Sequence, residues 1–113
     1  MTDEQINIAI AEACGWKEIQ SSHAPVEFGR RPHGWKRTEH GNRTLETQIP
    51  DYCNDLNAMR EAEKILIKKG FKCTYDGELN LISERDYCLV WETTARQRAE
   101  AFLRTIGKWE DGK

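Results

Sequence analysis

The apolar pattern predicts an α+β fold: three helices packed, on one face or on both, against an antiparallel sheet of about four strands. Three observations carry that prediction. Three stretches repeat apolar residues at three- and four-residue spacing and each runs into a glycine; the segments between them alternate apolar and polar residues; and an Asp-Gly pair between two alternating runs has the chemistry of a tight hairpin.

Taking the elements in order, Thr2 and Gln5 form a capping box. Ile6, Ala9, Ile10 and Ala13 then share one face up to Gly15, which places the first helix at about 3–14. Residues 16–20 mix Trp16 and Ile19 with polar neighbours and suggest a short strand. From His23 to Asn42 the periodicity fails, because Pro25, Pro32, Gly29, Gly34 and Gly41 interrupt every run, so a long irregular basic loop is expected at about 21–43 with short strand pieces at 26–28 and 35–37. Alternation returns over 43–49 and ends at Pro50.

The most regular stretch is 51–70. Asn54 is expected to cap a helix whose apolar face is Leu56, Met59, Ala62, Ile65 and Leu66, with Gly70 as its stop. After it, Phe71, Cys73 and Tyr75 alternate with polar residues, Asp76-Gly77 fits a type I′ turn, and 78–83 fits the return strand. A polar turn at 84–86 then leads to an apolar central strand at 87–92, completing a meander. Thr94 and Gln97 repeat the capping box ahead of Ala95, Ala99, Phe102, Leu103 and Ile106. Gly107 closes that helix, and a frayed tail follows Trp109.

The length of 113 residues suits one domain able to bury its own core. Charged residues make up 32% against 38% apolar, with a mean hydropathy of −0.79, so high solubility is expected. A net charge of −2 implies no global attraction to nucleic acid or to an anionic membrane. No stretch approaches the roughly 18 apolar residues of a membrane span, and the acidic amphipathic start lacks a signal peptide's basic and apolar regions, which predicts a cytoplasmic protein. Cys14, Cys53, Cys73 and Cys88 form no CxxC pair and are expected to be reduced thiols. No cofactor is expected.

The segment that looks most functional is 28–43. Arg30, Arg31, Lys36, Arg37 and Arg43 stand there against a single acid, Glu39, and are interleaved with Phe28, His33 and Trp35. Guanidinium and ammonium groups next to an aromatic ring can grip phosphates and stack on a base, or meet an acidic protein. The competing account is a solvated loop whose Trp35 and Phe28 plug the edge of the core. His23, His33 and His40 all fall in this region, but their spacings match no compact metal site. Cys53, beside Asp51 and Asn54, lies where a helix start could favour a thiolate, although capping alone accounts for that turn. Trp16, Tyr87 and Trp91 are expected in the core or on the sheet. An exposed sheet edge or apolar patch would allow a homodimer.

Three short motifs, Gly15-Trp16 after the first helix, Pro50-Asp51-Tyr52-Cys53-Asn54-Asp55-Leu56, and Thr94-Ala95-Arg96 at the last helix start, give the chain a layout that resembles the phage ABA-sandwich domain family. Cys53-Asn54 stands where that family more often has Ser-Thr. The resemblance implies an α/β sandwich fold, a phage origin and an accessory role in the infected cell's cytoplasm, with no catalytic residues to transfer. The expected function is therefore non-enzymatic: binding that antagonises a host protein or a host defence system. The alternative is nucleotide or nucleic-acid binding, including sequestration of a signalling nucleotide, through Arg30, Arg31, His33, Trp35, Lys36, Arg37 and Arg43.

Overall fold

The computed structural model describes residues 1–20, 33–36 and 47–110. Over these the elements run α1 (Asp3–Ala13), β1 (Lys17–Gln20), β2 (His33–Trp35), β3 (Thr47–Gln48), α2 (Leu56–Lys68), α3 (Lys72–Arg85), a single 3-10 turn (Val90–Glu92) and α4 (Ala95–Thr105). The expected strand piece at 26–28 and the tail 111–113 lie outside the described residues.

The chain is mostly helical, which overturns the expected sandwich of three helices on an antiparallel sheet of about four strands. Three strands form one short patch in the order β1-β2-β3, and β1 rests on α1. The predicted meander is absent: 72–85 is the continuous helix α3, with Asp76-Gly77 inside it, and 87–92 is an irregular turn. Packing decides this. Tyr75, Leu79, Ile82 and Ser83 are all buried, and their spacing of four, three and one puts them on one helical face. The alternating set that suggested a strand splits, leaving Cys73 and Leu81 in solvent.

At the centre is α4, which packs on α1, α2 and α3. Phe102 and Leu103 meet Ile6, Ile10, Met59 and Leu66 in a core with no exposed surface to speak of, and burying each such side chain is worth about 1.5–3 kcal/mol. Polar clamps fix the helices at its edge. Glu63 on α2 accepts from the Tyr75 hydroxyl on α3 (2.7 Å) and from Arg98 on α4 (3.2 Å). Glu100, buried on α4, takes a bidentate pair of bonds from Arg85 (2.8 and 3.2 Å) and another from Arg104 (2.8 Å). Burial alone would raise the Glu100 carboxyl, but those guanidinium hydrogen bonds and charges outweigh it and hold the group below its ordinary 4.5.

Capping boxes start α1 and α4 as expected: the Thr2 and Thr94 hydroxyls accept from the Gln5 and Gln97 amides, both at 3.2 Å. On α2 the cap is one residue later than predicted. Asp55 accepts from the amides of Asn57 (2.9 Å) and Ala58 (3.3 Å), while Asn54 instead donates to Asp51. A buried amide then ties that turn to α1, since Asn7 Nδ2 donates to Asp51 Oδ1 (3.0 Å) and its Oδ1 accepts from the Cys53 amide (3.1 Å).

Candidate binding surfaces

Among the sequence-predicted site residues, Arg30, Arg31, Arg37 and Arg43 lie outside the described residues. His33 is described only by its backbone, in register with Gln20 on one side and Gln48 on the other. Gly34 makes that pairing possible: a Cβ there would come within 2.8 Å of the Lys17 carbonyl and 3.2 Å of Ile19 Cγ1. Because β2 can lie this close to β1, Trp35 is half-buried and Lys36 is carried over Trp16, its Nζ 5.5 Å from the ring centroid, a cation–π distance.

Lys36 thereby becomes one wall of a groove of about 390 Å³ that runs along α2. Lys64 and Lys68, one helical turn apart, form the opposite rim beside Glu61, and Trp16, Tyr52 and Ile65 form the floor. Cys14 sits at the bottom with the Tyr52 hydroxyl as its partner; burial pushes its thiol up to about 11. Sequence reading missed the α2 half of this groove, because Lys64 and Lys68 look like ordinary solvent-facing lysines until β2 is laid beside them.

Cys53 does not carry an activated thiol. It lies three residues ahead of α2, its Sγ donates to the Asp3 carbonyl (3.7 Å), and burial, with the nearby Asp3 charge second, raises it to about 12.

A second feature lies at the far end of α3. All four helices finish with the same pair of backbone bonds, one from the residue after the cap and one from the residue beyond it, reaching back into the last turn: Gly15 to Glu12 and Trp16 to Ala11, Gly70 to Ile67 and Phe71 to Leu66, Tyr87 to Glu84 and Cys88 to Ser83, Gly107 to Arg104 and Lys108 to Leu103. This motif needs a left-handed residue after the cap. Three helices use glycine, with φ of 96°, 85° and 74°; α3 uses Tyr87, with φ of 55°. A non-glycine residue in that conformation costs roughly 1–2 kcal/mol, and the side chain recovers none of it by burial, being 97% exposed.

Tyr87 is followed by Leu89, 50% exposed, and Trp91, 76% exposed, so residues expected in a covered central strand stand in solvent. Their backbone is nevertheless fixed. Glu92 Oε1 accepts from the Leu89 amide (3.2 Å), the Thr93 hydroxyl donates to the Val90 carbonyl (2.7 Å), and Thr94 caps α4. Glu84, Asp86 and Glu92 lie beside Tyr87 and Trp91 in the sequence. Arg85 bonds Asp86 on one side and Glu100 on the other, and its bonds to Asp86, with one from Gln97, hold that carboxyl down at about 2. Among the described residues, no helix is long and apolar enough to cross a membrane. No family model, curated protein or solved structure matches the chain.

Proposed function

We propose that this chain is a phage accessory protein that acts by binding, inserting the 87–91 turn into an apolar cleft of a host protein and so antagonising it. The observation that carries this reading is Tyr87: a large aromatic residue held in a left-handed conformation where the other three helices use glycine, at a cost in stability, with its ring in solvent. Strain of that kind at an exposed side chain points to selection for what the side chain touches outside the fold. Trp91 extends the patch, and Tyr and Trp are the residues most enriched among interface anchors. Because the turn is hydrogen-bonded at both ends, little ordering entropy opposes docking. Glu84 and Glu92, beside the two aromatics in the sequence, favour a partner whose cleft has a basic rim.

The phage setting rests on the resemblance of three short motifs, Gly15-Trp16, 50–56 and 94–96, to a family whose sandwich fold this chain does not share. Affinity capture from bacterial lysate with wild type and a Trp91→Ser variant in parallel tests the reading. A stoichiometric protein retained by wild type and lost by the variant is expected; capture that ignores Trp91, or no capture at all, overturns it.

A further inference from the structure

We infer that the outward face of α3 is a homodimer interface, on which a second copy of this chain lays its own α3 antiparallel, centred near Gly77. The surface is separate from the aromatic turn, and the inference stands whether or not that turn engages a host protein.

α3 turns Tyr75, Leu79 and Ile82 inward and packs on α4 and α2. Its opposite side carries Cys73, Gly77 and Leu81, each one turn from the next, with Asn80 and Glu84 beside them. All five are exposed, Leu81 by 62%. Gly77 is the member that the monomer does not explain. A glycine inside a helix lowers stability relative to alanine. Gly77 is not left-handed, and no atom lies within 4 Å of a Cβ built on it, so neither backbone conformation nor internal packing calls for it. What a missing side chain does provide is close approach from outside: a second helix can lie towards the low end of the roughly 8–10 Å that separates packed helix axes.

Charge names the occupant. Residues 68–73 carry Lys68, Lys69 and Lys72 and no acid, whereas 76–84 carry Asp76, Glu78 and Glu84 and no base. None of these six forms an ion pair among the described residues, while Arg85 and Asp86 beyond them pair with each other. The helix dipole runs in the same sense, positive at the start of α3 and negative at its end, and Phe71 supplies no side-chain cap to offset it. A copy laid antiparallel therefore meets opposite charge at both ends, while a parallel copy would set like charges side by side. With the twofold axis at Gly77, residues equally far before and after it face each other. Leu81 then comes opposite position 73 of the second copy, and Glu84 opposite position 70, between Lys69 and Lys72 of that copy. Each contact occurs twice, as in any isologous pair.

The 14 residues of α3 span about 21 Å, and one helix pair of that length stays below the roughly 1,200 Å² of stable interfaces. The dimer should therefore dissociate with a constant on the order of tens of micromolar, leaving the chain monomeric in dilute thermal melts.

Sedimentation equilibrium of the whole chain from about 2 to 500 µM tests the proposal. A monomer–dimer equilibrium is expected that weakens as salt is raised. Gly77→Met puts a better helix former into open space, so the dilute chain should melt higher while dimerisation falls at least about tenfold; only a contact from outside the fold gives those opposite signs. Glu84→Lys should weaken dimerisation by about tenfold, and adding Lys72→Glu should recover most of the loss. Trp91→Ser should leave it unchanged, which separates this face from the aromatic turn. A chain that stays monomeric over the whole range, dimerisation unaltered in Gly77→Met, no recovery in the charge-swapped double variant, or loss of the dimer in Trp91→Ser overturns the proposal.

Discussion

Tyr87→Gly removes a side chain that is 97% exposed together with the strain of holding it at a φ of 55°. The left-handed conformation costs a non-glycine residue roughly 1–2 kcal/mol. Glycine loses more backbone entropy on folding, which takes back about 0.5–1 kcal/mol. The variant should therefore be more stable by roughly 0.5–1 kcal/mol, a rise of about 2–4 °C in melting temperature for a domain of this size. Differential scanning calorimetry and urea titration would both read it, with an unchanged m-value showing that the unfolding transition is otherwise the same. Gly107→Ala provides the mirror experiment: at a φ of 74° with open space around the new methyl group, it should lose about 1 kcal/mol. A Tyr87→Gly variant that melts lower than wild type would refute the reasoning, because it would mean that the ring makes stabilising contacts within the fold.

Two further predictions concern the helices. Gly77 lies inside α3 with no atom within 4 Å of a built Cβ, so Gly77→Ala should stabilise by about 0.5–1 kcal/mol; in the hairpin that the Asp-Gly pair suggests, the same change would destabilise, so the sign of the melting shift decides between them. The Glu100 carboxyl lies below 4.5 and the Asp86 carboxyl falls from 3.8 to about 2 in the folded chain. Their contribution is thus full above the ordinary carboxyl values and is lost as pH falls from about 4.5 towards 2. Glu100→Gln should flatten that slope and cost about 2 kcal/mol near neutral pH by leaving Arg85 and Arg104 without their buried partner, as thermal melts across pH would show.

Local signals made three of the four helices legible. The Thr2 and Thr94 boxes, the glycines at 15, 70 and 107, and the periodic faces of α1, α2 and α4 are written in short-range chemistry. The fourth, α3, has neither a capping box nor a glycine stop. Phe71 offers no side-chain cap, no acid stands in the first turn, and a glycine sits in the middle. What makes α3 helical is tertiary: Tyr75, Leu79 and Ile82 are buried, and Arg85 clasps Glu100 on α4. An apolar run read by alternation alone cannot reveal that. The spacing of Tyr75, Leu79 and Ile82 was the available clue. Losing the hairpin also moved Tyr87 and Trp91 from an expected core strand to the surface. For the groove, sequence identified Lys36 but not its counterparts, because Lys64 and Lys68 acquire meaning only when β2 brings Lys36 across Trp16.

The most direct test of the proposed role is the affinity of the captured partner for wild type and for the Tyr87→Gly/Trp91→Ser double variant, titrated with the purified proteins. Interface anchors of this kind are worth about 2 kcal/mol or more each. Affinity should therefore fall by about a thousandfold, even though the double variant folds as well as wild type. Equal affinity of the two proteins for the partner would contradict the account.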